Sequence, residues 1–168
     1  MNRKGFTLIE LLAVIVVLAL ILVITFPNLT NVFKNSKLKN EQIFVDRLSQ
    51  TIDSYVSLNG GTISFSYEPI SAQKEITADE YQDVTVYQGA ITVNDLITDN
   101  IISSSDYINP GNKEVQCNKN AEIEVYRDSD YVYCHKVKKD ALDCLSKEFK
   151  DSITGDYVID TCVWEKQW

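Results

Sequence analysis

Apolar residues concentrate in one block near the N-terminus. Every side chain of residues 11–24 is apolar, and only Thr7, Glu10 and Thr25 interrupt residues 6–26. A helix over these 21 residues reaches about 31 Å, close to the roughly 30 Å hydrocarbon layer of a membrane. The pattern predicts one membrane-spanning helix. A buried helix of a soluble core is disfavoured, because the rest of the chain is too short to surround a helix that is apolar on every face.

A cleaved secretory signal is the next alternative, since Arg3 and Lys4 precede the apolar block. Such a signal ends in small residues, whereas residues 25–28 read TFPN, and the block is longer than a usual signal core. We therefore expect the segment to stay with the mature protein. Charge alone leaves its orientation open, because basic residues flank both of its ends.

A second helical pattern follows the block. Residues 34–42 are nearly all polar, and apolar side chains then recur every three or four positions, as on one face of a helix. This stripe consists of Phe44, Leu48, Ile52 and Tyr55. We expect the stripe to dock on the C-terminal domain, and Asn59, Gly60 and Gly61 to end the helix.

Pro27 separates the two helical patterns. Inside a helix, proline removes one backbone hydrogen bond and clashes with the preceding turn, so it either kinks the helix or stops it. Helix-compatible sequence resumes at Leu29. This favours a kink over a stop.

Beyond Gly61 the patterns are short and typical of strands. Residues 62–67 and 84–87 read as strands separated by a polar stretch, and residues 92–97 read as a short helix with a Thr or Asn cap. Residues 121–126 and 131–137 alternate apolar and polar positions. These two alternating segments predict an antiparallel hairpin.

A two-residue turn at Asp128 and Ser129 sets the predicted register of the hairpin. This register places apolar side chains of both strands on one face, which we expect the helical stripe to cover. It places His135 on the opposite face. The predicted pairs are Ile123 with Cys134 and Val125 with Val132, and Ala121 completes the face. The fold class expected is α+β, a long N-terminal helix packed on a small antiparallel sheet.

The net charge disfavours one class of function. The 168 residues contain 16 Lys and Arg against 24 Asp and Glu, a net charge of −8. An acidic surface repels phosphates, which disfavours direct nucleic-acid binding by a basic face.

Residues 5–10, GFTLIE, follow a short basic leader and open the apolar helix. This signature resembles that of type IV prepilins and pseudopilins. The resemblance implies cleavage between Gly5 and Phe6 on the cytoplasmic side, N-methylation of Phe6, and a domain outside the cytoplasm. Loss of Arg3 and Lys4 with the leader takes the net charge from −8 to −10.

Glu10 has two compatible interpretations. Residues 7–10 have the S/T-x-x-E form of a capping box, and a carboxylate in the first turn complements the helix dipole. The family resemblance implies a second role, in which Glu10 attracts the amine of Phe6 in a neighbouring subunit and sets the axial register of a filament.

The resemblance also implies a domain layout and partners. Residues 1–5 are the leader, 6–27 the membrane and assembly helix, 28–59 the amphipathic helix, and 60–168 the extracytoplasmic domain. The expected partners are a prepilin peptidase and methyltransferase, other pilin subunits, an assembly motor and platform, and the membrane before assembly. The expected function is a structural subunit of a surface filament. The alternatives are a pseudopilin of a type II secretion or competence DNA-uptake machine, and a membrane-anchored binding domain that does not assemble.

Four cysteines lie in the last third of the chain. No C-x-x-C pair occurs, which disfavours a zinc site, and disulfides suit an exported domain. Three pairings are possible. We expect Cys117 to pair with Cys134 and Cys144 with Cys162, because these pairs join sequence neighbours.

The sequence offers little for catalysis. It has a single histidine and no phosphate loop, nucleophile elbow or metal motif. We therefore expect neither an enzyme nor a bound cofactor or metal.

Overall fold

The structure, a computed structural model, describes residues 7–77, 80–108, 111 and 115–166; the side chains of 24–29, 75–77 and 165–166 lie outside the description. The helices are α1 (Leu8–Asn59), α2 (Val93–Thr98) and α3 (Lys147–Ser152). The strands are β1 (Ile70–Thr77), β2 (Glu80–Thr92), β3 (Glu122–Asp128), β4 (Tyr133–Lys138), β5 (Tyr157–Asp160) and β6 (Trp164–Lys166).

The chain divides into two units, residues 1–39 and residues 40–168. The described part of the first unit is helical from Leu8 onward. The second unit contains residues 40–59 of α1 and all of the remaining helices and strands named above.

The strands of the second unit form one antiparallel sheet in the order β5-β4-β3-β2-β1-β6. The chain therefore begins its sheet near one edge, crosses to the other, and returns for β6. A helix with a small antiparallel sheet is the α+β class that the sequence predicts.

The apolar stripe of α1 is buried in the second unit, as predicted. Leu48 and Ile52 are almost fully buried, Tyr55 is buried, and the half-buried Phe44 stacks its ring 5.8 Å from that of Tyr107. The sheet supplies Ile123 and other fully buried side chains to the core. Burial of large apolar side chains is the main favourable term in the folding of such a domain.

The predicted register of the β3–β4 hairpin is wrong by three residues. Cys134 lies opposite Tyr126, and His135 lies opposite Val125. The loop holds three residues rather than two, because the Asp128 backbone N–H donates to the Val132 carbonyl. Tyr131 takes the left-handed conformation that such loops require, with φ of 63°.

An odd shift in register exchanges the two faces of a strand. His135 therefore lies on the face of the sheet that α1 covers, whereas Cys134 lies on the other face. Val132, predicted in the core, is 58% exposed, while Ala121, Ile123 and Val125 are buried as predicted.

The second face of the sheet has its own small core. It consists of Ala72, Val86, Tyr126, Cys134 and Trp164, with Ile70, Val84 and Cys162 packed against it. The Tyr126 and Trp164 rings meet edge to face at 5.1 Å. The sheet thus has apolar side chains on both faces.

The prediction of a strand over residues 62–67 is wrong, and the polar stretch after it contains β1 and the start of β2. Only Phe65 of the predicted strand forms a bridge, to Gly89. Strand β1 pairs with β2 on one side and β6 on the other, so backbone pairing overrides the low strand propensity of its polar residues.

The predicted disulfide pairing is also wrong. Cys117 bonds Cys144, and Cys134 bonds Cys162. Strand β5 pairs with β4 so that Asp160 lies opposite Lys136, and the same antiparallel register brings the two ends at Cys134 and Cys162 together. Their Cα atoms are 5.1 Å apart. Sequence proximity is thus a poor guide, because the pairing of β4 with β5 decides that Cys134 meets Cys162.

Both short helices begin at capped residues. The α2 helix begins after Thr92, one of the two predicted cap residues, whose backbone N–H and hydroxyl donate to the Asp95 carboxylate at 2.6 and 2.9 Å. Ser146 precedes α3 and donates from its N–H and hydroxyl to Glu41 of α1, at 3.0 and 2.6 Å. The fully buried Glu41 therefore joins the long helix to α3.

Candidate functional site

The described N-terminal part of α1 presents apolar side chains on all its faces. Exposed fractions run from 49% at Val16 to 83% at Leu8. No helix among the described residues is long and apolar enough to cross a membrane. The predicted span covers residues 6–26, of which Phe6 and the side chains of 24–26 lie outside the described residues.

Helix α1 begins with the capping box that the sequence predicts. The Glu10 carboxylate accepts from the Thr7 N–H at 2.8 Å and from the Thr7 hydroxyl at 2.9 Å through the same oxygen, Oε2. In return, the Glu10 N–H donates to Thr7 Oγ1 at 3.3 Å. These contacts satisfy donors that the first turn of a helix otherwise leaves free.

The cap leaves one oxygen of Glu10 available. Within the described residues Oε1 accepts no hydrogen bond, and the carboxylate is exposed. A carboxylate has about four lone-pair sites, so a capping role and a contact with a second chain are compatible. Gly5 and Phe6, the predicted cleavage and methylation residues, lie outside the described residues.

The backbone of α1 is helical through position 27. Pro27 therefore does not end the helix, and its side chain lies outside the described residues. The predicted kink at this position stays a prediction.

A polar cluster around the buried His135 ties α1 to the sheet, and the sequence reasoning missed it. The His135 ring is 1% exposed. Its Nε2 lies 3.2 Å from Ser49 Oγ, and its Nδ1 lies 3.1 Å from an Asp53 carboxylate oxygen and 3.3 Å from Thr161 Oγ1. Only the correct hairpin register, which sets the face on which His135 lies, predicts this cluster.

The cluster has the connectivity of a catalytic Ser-His-Asp triad, but its serine has no free backbone N–H groups beside it. Ser49 lies inside α1, where backbone N–H groups donate to carbonyls four residues earlier. Those groups are not free to stabilise an oxyanion, which is a major part of acyl-transfer catalysis. We interpret the cluster as a tether between helix and sheet.

The tether predicts a pH-dependent stability. Burial lowers the pKa of His135, and it outweighs the Asp53 and Asp160 carboxylates, which raise it. As the pH falls below about 6.5, the unfolded chain takes up this proton before the folded one. The free energy of unfolding therefore falls between pH 7.5 and 5.5, and His135→Gln flattens that dependence. Urea titrations of both proteins across this range test it, and parallel profiles would contradict it.

The other face of the sheet holds a second buried carboxylate. Glu124 accepts from Tyr126 at 2.9 Å and pairs with Lys138 at 2.8 Å. Burial raises the pKa of Glu124, but the hydrogen bonds from Lys138 and Tyr126 hold it below its usual value. The charge is thus fully paired, as burial requires.

The carboxylate of Asp128, at the end of β3, accepts hydrogen bonds from the backbone of the β3–β4 loop. Asp128 Oδ1 accepts from the N–H groups of Asp130 and Val132 at 2.9 and 2.8 Å. The part of the chain that the structure describes contains no group of three or more His, Cys, Asp or Glu side chains placed to hold a metal ion.

A cation enclosed by aromatic rings lies near the same loop. The Arg127 guanidinium carbon is 4.9 Å from the ring centroid of Phe65, 5.3 Å from that of Tyr87 and 4.8 Å from that of Tyr131. We call these four residues the Arg127 cluster. Tyr87 is the cross-strand partner of Arg127, whereas Phe65 and Tyr131 come from loops.

Comparison with known proteins bears on the N-terminus. Residues 1–26 match the family described as the prokaryotic N-terminal methylation motif. The chain is 38% identical over 55 residues to the ComG operon protein 3 homolog of Bacillus licheniformis, a match covering 33% of this chain and 57% of that protein. No solved structure matches the chain.

Proposed function

We propose that this protein is a structural, non-enzymatic subunit of a type IV pilus-like filament. The observation that carries the proposal is the match to the N-terminal methylation motif over residues 1–26, a range that includes the first turns of α1. The motif and the ComG relative support a type IV pilin-like or pseudopilin-like subunit.

The exposed surface of α1 supports assembly through the helix. Residues 8–23 expose apolar side chains around the whole helix, and such a surface needs lipid or other apolar helices to cover it. In the proposed sequence of events, the helix lies in the membrane first. It then moves into a bundle of identical helices without exposing its apolar surface to water.

Processing supplies a cationic partner for Glu10, whose only hydrogen-bond donors among the described residues belong to Thr7. Cleavage after Gly5 creates an amine on Phe6, and methylation leaves that amine able to carry a positive charge. Within an apolar bundle, the Glu10 carboxylate then has a cationic partner in the neighbouring subunit, which removes the cost of an unpaired charge. Only one axial offset between subunits brings the two groups together.

The proposed partners follow from this sequence. A prepilin peptidase and methyltransferase processes the N-terminus, and an assembly motor and platform moves the subunit into the filament. The chain is then a single-pass membrane protein with a cytoplasmic N-terminus before assembly, and a surface component afterwards.

A competence DNA-uptake pseudopilin is the second candidate, and the similarity to the ComG operon protein 3 homolog favours it over a type II secretion subunit. A membrane-anchored binding domain that never assembles is a weaker candidate. This candidate function does not explain why the chain carries a methylation motif.

A block on processing tests the proposal. We expect Gly5→Val to prevent leader removal, so that the protein keeps residues 1–5 and disappears from material sheared off the cells. Asn2→Ala, a change elsewhere in the leader, serves as the matched control and should be processed normally. Intact mass of membrane and sheared fractions is the readout. Normal amounts of uncleaved Gly5→Val protein in the sheared fraction would contradict the proposal.

A further inference from the structure

The Arg127 cluster contains a cation with one hydrogen-bond donor, Nε, that lacks an acceptor among the described residues. This donor is shielded from solvent. The neighbouring Asp128 carboxylate accepts through Oδ1 from two backbone N–H groups of the loop and forms no ion pair with Arg127. No ion pair of Arg127 occurs within residues 7–77, 80–108, 111 and 115–166. A shielded donor without an acceptor is uncommon in folded proteins and calls for an explanation.

The second observation is the conformation of Tyr131, the outermost ring of the cluster. Its φ of 63° lies in the left-handed region, which disfavours bulky residues. Its side chain is nevertheless 68% exposed, and the adjacent Val132 is 58% exposed. Glycine or asparagine suits this loop position better. The loop thus holds an aromatic ring over Arg127, at the protein surface, in an unfavourable backbone conformation.

The arrangement defines the chemistry of a partner. Rings stacked on the planar guanidinium restrict its rotation and orient its N–H donors. A guanidinium held in this way suits a planar carboxylate, which accepts two parallel hydrogen bonds. The exposed ring and Val132 add apolar contact beside the charge.

Charge identifies the source of that carboxylate. The chain carries 24 acidic residues against 16 basic ones, so copies of it repel one another at close approach. A filament that brings these domains together needs cations at the contacts between copies. The same acidic surface disfavours a nucleic acid as the partner.

We propose that the Arg127 cluster is a contact between subunits, in which Arg127 receives an Asp or Glu carboxylate from a second copy of this chain. The inference rests on the proposed filament function. It adds to that function a site on the second unit, separate from Glu10.

Cross-linking of assembled protein tests the contact directly. Arg127→Lys keeps the positive charge and introduces an amine that a zero-length carbodiimide couples to a touching carboxylate. Filaments grown from a mixture of isotope-labelled and unlabelled copies separate links between copies from links within one copy. We expect mixed-label peptides that join Lys at position 127 to an Asp or Glu. Links from other lysines without any at position 127 would overturn the inference.

A second variant separates a contact role from a packing role. Tyr131→Gly removes the ring and suits the left-handed backbone, so we expect a melting temperature no lower than that of the wild type. We also expect sheared filament to fall at least several-fold. Tyr67→Gly, at a fully exposed tyrosine of the same unit, is the matched control and should assemble normally. A lowered melting temperature with normal assembly would make the cluster a packing feature and overturn the inference.

Two outcomes distinguish this inference from its premise. Wild-type protein that never assembles would overturn the proposed function and the inference with it. If the wild type assembles and Arg127→Ala forms the same amount of filament, the inference alone would be overturned. Loss of binding to a labelled single-stranded oligonucleotide in Arg127→Ala, with no link between copies, would assign the cluster to a phosphate ligand and also overturn it.

Discussion

Glu10→Gln should abolish assembly while leaving the start of α1 intact. Glutamine keeps an oxygen that can accept from Thr7, so the cap survives, but it cannot attract a charged amine of a neighbouring subunit. We expect at least tenfold less sheared filament than in the wild type, with leader cleavage and methylation unchanged. Glu10→Ala should assemble equally poorly. Immunoblots of sheared and membrane fractions, with intact mass of the membrane protein, give both readouts.

Thr7→Val is the control that separates the two roles of Glu10. It removes the hydroxyl that bonds the carboxylate at 2.9 Å and accepts the Glu10 N–H, but it leaves the charge of Glu10 in place. If the charge sets the register of the filament, Thr7→Val assembles and Glu10→Gln does not. The reverse result would assign Glu10 to helix capping alone. Normal filaments from Glu10→Gln would remove the assembly role altogether.

The second large effect is expected from the disulfide between Cys134 and Cys162, which closes a loop of 28 residues. In the chain-entropy model, opening a loop of that length costs about 3–4 kcal/mol. We expect the double replacement of both residues by alanine to lower the melting temperature of the full chain by roughly 10–15 °C. Circular dichroism of the detergent-solubilised protein measures the shift.

The other disulfide provides the matched comparison. Cys117 and Cys144 are separated by 27 residues, so their removal should cost a similar free energy. Peptide mapping of the oxidised protein should find Cys117 with Cys144 and Cys134 with Cys162. Peptides joining Cys117 to Cys134 would contradict the strand pairing of β4 with β5. A melting temperature unchanged in either double variant would contradict the expected stabilisation.

The local features of the fold were predictable from the sequence. The burial of Leu48 and Ile52 follows from their helical spacing, and the beginnings of α1 and α2 follow from residues that cap helices. Each of these features depends on residues within a few positions of one another. Helical periodicity and capping are local properties, which explains why the sequence predicts them.

The predictions that failed depend on how the strands pair with one another. One additional residue in the β3–β4 loop reversed the predicted faces of His135 and Cys134. The disulfide between Cys134 and Cys162 depends on the pairing of β4 with β5, which no local pattern indicates. Strand β1 was missed because its polar residues have low strand propensity, whereas its pairing with two neighbours stabilises it.

The same distinction applies to the candidate sites. Glu10 was found because a contiguous motif contains it. The partners of Arg127 come from a strand and two loops, Tyr87, Phe65 and Tyr131, which only the fold brings together. The tether of His135 to Ser49 likewise requires the observed register.

The N-terminal residue of the mature protein tests the central claim most directly. We would isolate the protein from native membranes and from sheared surface material, and determine intact mass and N-terminal peptides by mass spectrometry. The account predicts a chain that begins at N-methylated Phe6 in the sheared fraction. A chain that retains Met1 and the rest of the leader in both fractions would contradict it.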